Sequence, residues 1–502
     1  MDIKTAKETW LLLEKKGAKA TDPHLFALDL ASSFMAQFFA DSEPELEYIN
    51  ILCRMAGSDN PRISTAAVST IYKKVIEVLC DDFTPSGAEL CATILIKLIC
   101  FVRKNKSGKP IATLLARLGY HDQEDLLKRY LQLCDKPPLD PAGPRKVKKI
   151  FILSRVTVGA DVAITGIILQ RLAACFPKAL FVMIGPHHLP EIFSGMAEIK
   201  FINLECLRQG HLVDRLQYWP HLYDLIAEES KELAADEVLL FDPDSRLSQL
   251  GLLPLLRVDQ TFLFNSRSMR PENNRSSLTA LTNIWLNRIL AENKFVLPKV
   301  SYAKHHREMA WTFCQKLRQN GCNRLITINL GVGDNLHKRI PDPFEQKILT
   351  ALLAEKNTII LLDMGVSSEE KTRVENLINL LKNLSIDTDF VNEKNFASQN
   401  IDFAHGIIAL QDSIGGFGAM INSSDCFFGY DSCCQHLANA NQIPSVIMFT
   451  GHPNLRFIER WSPENISGST RIIPIEKDGF KPEMIDQLVK TTITTLHNLT
   501  GS

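Results

Sequence analysis

From Lys149 onward one pattern recurs: a short unbroken apolar run, a turn, then residues with helical spacing. The runs are KIFILS (149–154), LFVMIG (180–185), EIKFINL (198–204), EVLLFDP (237–243), RLITINL (324–330), NTIILLDMG (357–365), GIIALQ (406–411), DCFFGY (425–430) and SVIMFTG (445–451). A strand that is apolar on both faces must be covered on both faces. Parallel sheets flanked by helices do this, and the helical stretches supply the crossovers that parallel strands need. The runs fall into two clusters, so two doubly wound α/β domains facing each other are expected, at 149–297 and 298–502. Ligands of such sheets sit outside the carboxyl ends of the strands.

The first 136 residues carry a different period. HLFALDLASSFMAQFFA, AAVSTIYKKVIEVLCDDF and AELCATILIKLICFVRK place apolar residues at i, i+3 and i+4, and breakers at Gly57 to Pro61, Pro85 to Gly87 and Gly108 to Pro110 separate the segments. An all-helical domain over 1–136 is expected, suited to packing, to binding an acceptor or to oligomerisation rather than to chemistry. Its end, DKPPLDPAGPRKVKK, is rich in proline and then basic, which reads as a linker over 137–148.

A chain of 502 residues is too long for one core, in keeping with several domains. Its net charge of −1 gives no bulk attraction to a polyanion, so no nucleic-acid partner is expected. The best membrane candidate, CATILIKLICFV from Cys91, is short and broken by Lys97, so no transmembrane segment is expected. The start, MDIKTAKETW, lacks an apolar signal core, which points to the cytoplasm. The twelve cysteines include no Cys-x-x-Cys pair and read as small buried residues, so no metal is expected.

Three turns carry groups capable of chemistry. In LSRVTVGADVAITG (153–166), Asp161 lies near a helix start, either as an N-cap or as a carboxylate that takes a proton from a hydroxyl. In NLGVGDNLHKRIPDPF (329–344), Gly331 and Gly333 leave room for a ligand and Lys338 offers a point charge to a phosphate; a plain surface loop is the alternative. In GYDSCCQHLANA (429–440), Gly429 permits a tight turn, and Asp431 and Ser432 stand where the next helix begins. Free N–H groups at a helix start stabilise a diphosphate, while Asp431 suits sugar or ribose hydroxyls. His436 falls one turn in, as a buried histidine or a ligand contact. Cys433 and Cys434 are adjacent and point apart, which is poor geometry for one metal ion.

Together the three turns resemble glycosyltransferase family nine, the ADP-heptose:LPS heptosyltransferases and their relatives. GADVAITGIIL is similar to the family's first turn, NLGVGDNLHKRIP to its lysine loop, and GYDSCCQHLANA to its late G-x-D-[ST]-G-x-x-H-L-A-A-A motif. The resemblance spans about 148 to 480 and excludes the helical start. It implies a GT-B fold, two Rossmann-like domains with a cleft between, here preceded by an all-α domain. It implies Asp161 as catalytic base, with Lys338, Gly331, Gly333, Asp431, Ser432, Cys433 and His436 at the donor. It further implies inverting, metal-independent transfer of a sugar, heptose among the candidates, from a nucleotide-diphosphate donor to a hydroxyl on a protein or glycolipid, with no cofactor beyond the donor. Ala160, Ile340 and Cys433 replace the family's glycine, tryptophan and glycine. These departures leave a second reading: a catalytically degenerate binding or assembly protein that acts through its helical domain.

Overall fold

Short polar residues followed by proline open the N-terminal helices. In the computed structural model Asp22, Asn60 and Thr84 each precede a proline in the first turn. Their side chains accept from His24 N at 2.8 Å, Arg62 N at 3.0 Å and Gly87 N at 3.1 Å. Proline costs little there, because a first-turn N–H has no intrahelical partner. Helices Pro23–Phe39, Pro61–Thr70 and Pro85–Lys104 follow these caps, and Ile3–Lys16, Glu47–Ala56, Glu77–Asp82, Lys109–Arg117 and Gln123–Cys134 are further α-helices of this region. The structure describes the chain apart from residues 17–20, 140–145, 197, 208–209, 273–274, 334, 397–398, 400, 465–467, 477–480 and 502. The middle of the expected linker, 140–145, therefore lies outside the described residues.

The strands are β1 (Lys149–Leu153), β2 (Leu180–Gly185), β3 (Ile199–Asn203), β4 (Val238–Asp242), β5 (Thr261–Leu263), β6 (Arg324–Asn329), β7 (Thr358–Asp363), β8 (Thr388–Asn392), β9 (Gly406–Gln411), β10 (Cys426–Tyr430), β11 (Ser445–Thr450) and β12 (Thr470–Ile475). They form a five-stranded sheet of order β3-β2-β1-β4-β5 and a seven-stranded sheet of order β12-β11-β10-β6-β7-β9-β8. The ladders are parallel; Ile326 of β6, for example, lies opposite Cys426 on one side and Ile360 on the other. Two parallel α/β sheets preceded by an all-helical segment are the GT-B architecture expected from the apolar runs. The three strands not anticipated, β5, β8 and β12, all stand at sheet edges.

By proximity the chain divides into two compact units, 1–153 with 204–272, and 154–203 with 273–502. In the first, the N-terminal helices grip the 204–272 segment. Buried Arg129 donates from Nε to Gly251 O at 2.7 Å and from Nη1 to Leu256 O at 3.3 Å. Asn265 Nδ2 donates to Tyr130 OH at 2.8 Å, and the Arg215 guanidinium lies 3.8 Å from the Tyr72 ring centroid.

In the second unit the seven-stranded sheet is packed by Ile326, Ile328, Phe344, Ile360, Phe428 and Met448. Its strand order turns around at β6: the chain builds outward through β7, then returns to place β10 on β6's other side. The carboxyl edge at such a turning point of the strand order is the usual ligand position of a doubly wound sheet. Among the described residues two helical stretches, Pro85–Lys104 and Val158–Cys175, are long and apolar enough to cross a membrane. In those stretches 56% and 72% of the apolar window is buried inside the fold, so packing in a core accounts for their composition.

Candidate functional site

Asn329 ends β6, and Asp431 and Ser432 follow β10. Ser432 caps helix Cys433–Ala440: its Oγ accepts from Cys434 N at 3.3 Å and donates to Asn329 Oδ1 at 2.9 Å. Asn329 in turn donates from Nδ2 to Asp363 Oδ2 at 2.5 Å, at the end of β7. Burial pushes the Asp363 pKa up to about 6. Lys338, from a short turn at Leu336–Lys338, reaches across to form an ion pair with the Asp431 carboxylate. Its Nζ also lies 3.4 Å from Asp431 O and 5.4 Å from the Phe457 ring centroid. The other carboxylate oxygen of Asp431 accepts from Gln435 Nε2 at 2.6 Å. Residues 93 positions apart in sequence thus meet at the turning point of the sheet.

The glycine loop serves a carboxylate in this conformation. Gly333, at φ +57°, donates its N–H to Glu370 Oε1 at 3.2 Å, and Val366 N and Ser367 N donate to Glu370 Oε2 at 3.1 and 3.3 Å. Burial opposes the Glu370 charge, but these N–H groups outweigh it and hold its pKa below the ordinary range. A Cβ on Gly331 would come within 2.9 Å of Glu370 Oε1, so this loop has to be glycine for the acid to approach. Gly331 and Gly333 lie at the carboxyl edge as the sequence suggested, but the Gly333 N–H is already engaged.

His436 is buried, and burial lowers its pKa to about 4, leaving a neutral imidazole near pH 7. Its ring meets Trp461 edge-on at 5.7 Å and lies against Gly159, where a Cβ would come within 2.7 Å of His436 Cδ2 and 3.4 Å of Cys433 Cα. Gly159, two residues before Asp161, is therefore a point of close approach between the first-turn helix and the Cys433–Ala440 helix. Cys433 is half-buried, with Sγ 4.0 Å from that of Cys434. Among the described residues no three His, Cys, Asp or Glu side chains cluster in a way that could hold a metal ion.

Asp161 lies inside a helix rather than at its cap. The helix starts at Val158, passes through a π-turn at Asp161–Thr165, and continues as Gly166–Cys175. Such turns often mark functional positions. The Asp161 carboxylate is fully buried and faces its own loop. Oδ1 accepts from Arg155 N at 2.7 Å and Thr165 Oγ1 at 2.8 Å; Oδ2 accepts from Ser154 Oγ at 2.7 Å and lies 3.3 Å from His188 Nε2. Val156 takes φ +74°, unusual for a β-branched residue, and its N–H donates to Ser154 Oγ at 2.7 Å. The N-cap alternative does not describe this aspartate, since its backbone donor is in the loop before the helix. No face of the carboxylate opens to solvent.

Sequence reasoning did not single out Asn329, Asp363, Glu370, Gln435 or His188. Asp363 and Asn329 could have been found as the polar ends of apolar runs. Glu370 and His188 had no such signal, because only folding brings them to Gly333 and Asp161.

No family model and no curated protein matches the chain by sequence. Solved structures match it by fold. The glycosyl transferase family 9 structure from Veillonella parvula DSM 2008 aligns with a TM-score of 0.50 at 16% identity, over 73% of this chain and 100% of that one. E. coli ADP-heptose LPS heptosyltransferase II gives a TM-score of 0.44 at 14% identity, over 70% and 99%. E. coli heptosyltransferase WaaC with ADP gives 0.41 at 13%, over 68% and 99%. At such identity what is shared is fold: this chain carries the fold of the Veillonella family 9 glycosyl transferase.

Proposed function

We propose that the chain is an inverting, metal-independent glycosyltransferase that moves a sugar, with heptose the first candidate, from a nucleoside-diphosphate donor to a hydroxyl of a protein or glycolipid in the cytoplasm. The observation that carries this reading is the meeting of Lys338, Asp431, Ser432 and Asn329 where the order of the second sheet turns around. The acceptor oxygen attacks the anomeric carbon, and the bond from that carbon to the diphosphate breaks with its electron pair going to the diphosphate. Lys338 and the N–H groups at the start of Cys433–Ala440 stabilise the charge that builds there. Gly331 and Gly333 shape the floor, Asp431 turns to sugar or ribose hydroxyls, and Cys433 and His436 line the helix side. Asp161 is the carboxylate on which removal of the acceptor proton depends. The helical segment serves the acceptor or self-association.

The test is calorimetric titration with ADP, UDP and GDP, then with the matching sugar nucleotides. One nucleoside diphosphate is expected to bind, and Lys338→Gln is expected to weaken it roughly 10- to 100-fold, the range for a lost charge-assisted contact. A wild-type chain that binds none of them ends the proposal. The sealed Asp161 and the pairing of Lys338 with Asp431 favour one rival, a binding protein that has lost turnover. Nucleotide-sugar binding without any release of nucleoside diphosphate would select it.

A further inference from the structure

We infer that His188, held by Asp161, is the group that receives the acceptor's proton. The inference rests on the glycosyl-transfer reading and places its base on a different residue. Asp161 is fully buried, and both of its oxygens are occupied, Oδ1 by Arg155 N and Thr165 Oγ1, Oδ2 by Ser154 Oγ and His188 Nε2. A hydroxyl could reach that carboxylate only by displacing one of these partners. His188 lies three residues past β2, its side chain keeps 11% of its surface exposed, and Nε2 is the ring nitrogen that faces Asp161. A carboxylate only accepts, so the ring nitrogen facing it carries the hydrogen and Nδ1 keeps the lone pair.

That is the arrangement of a carboxylate orienting an imidazole base. The acceptor O–H gives its proton to Nδ1 while its oxygen bonds to the anomeric carbon, and the sugar–diphosphate bond breaks with its electrons leaving on the diphosphate. The imidazolium is stabilised through Nε2–H by Asp161, whose geometry is fixed by the Ser154 and Thr165 hydroxyls. Asp161 is then a positioning residue, and the left-handed Val156 holds Ser154 Oγ in place for it.

Two measurements on the full chain test this. Nitrogen-15 NMR of the imidazoles, with His188 assigned through its absence in His188→Gln, is expected to show protonated Nε2 and free Nδ1; the opposite tautomer overturns the inference without need of turnover. Release of ADP from ADP-heptose, with water as acceptor, is expected to fall about 10²- to 10⁴-fold in kcat for His188→Gln, with KM for the donor within about twofold. Asp161→Asn should lose kcat similarly and shift the His188 tautomer. A His188→Gln chain that turns over at the wild-type rate sinks this inference alone. A wild-type chain that fails to bind ADP in calorimetry sinks the donor reading, and this inference with it.

Discussion

Gly159 has no side chain where the His436 ring presses against it. Gly159→Ala should lower unfolding free energy by about 1–3 kcal/mol, the usual cost of overpacking. In a His436→Ala background most of that cost should disappear, because the colliding ring is gone; urea unfolding of the four chains of the cycle measures it. His436 also leaves a signature in pH. Its folded pKa, lowered to about 4 by burial, lies below the ordinary 6.5 of a solvated histidine, so the fold favours the neutral ring. Its contribution is therefore present above pH 6.5 and is lost as pH falls toward 4, amounting to about 3 kcal/mol. Asp363 acts oppositely: its raised pKa gives stability that is present below 3.8 and lost as pH rises through about 6. The stability difference between wild type and His436→Gln, followed from pH 7.5 to 4.5, isolates the histidine, and a constant difference would refute the burial argument. The sequence named Lys338 and Asp431 separately, through motif resemblance. That they grip each other was not legible, since nothing local encodes a contact across 93 residues.

At the scale of elements, the interior strands were readable, whereas of the four edge strands only β3 was. β6 and β10 are buried at every position, so they appear as unbroken apolar runs. β8, TDFVN, and β12, TRIIPI, are partly exposed and break their runs with polar residues or Pro474, which an edge tolerates. The same difference predicts their dynamics. In hydrogen-exchange mass spectrometry, peptides over β8 and β12 should exchange orders of magnitude faster than those over β6 and β10. Equal protection would contradict the edge assignment. Helix starts were partly legible: Pro85 looked like a breaker but opens Pro85–Lys104 behind its Thr84 cap. Thr84→Ala should cost about 1 kcal/mol of stability in a denaturant melt.

At the scale of the whole molecule, the helical start is integral to the first compact unit. Arg129, Tyr130 and Leu133 are buried, and Arg129 and Tyr130 hydrogen-bond to the 204–272 segment. Deleting residues 1–136 should therefore abolish cooperative unfolding or soluble expression, as read by circular dichroism and size exclusion. A well-folded truncated chain would show the helices to be dispensable. The sequence suggested a module on a proline-rich tether, because composition reveals a change of period but not what the helices pack against.

The pairing of Lys338 with Asp431 also governs which anions the lysine ignores. An ammonium already matched to a carboxylate offers little to a bystander anion, since inorganic phosphate would have to break that match and bring nothing to replace it. Only a larger molecule, with hydroxyls to engage the released acid as well as charge for the lysine, recovers both losses at once. Discrimination against the abundant small ion is thus built into the Lys338–Asp431 pair itself.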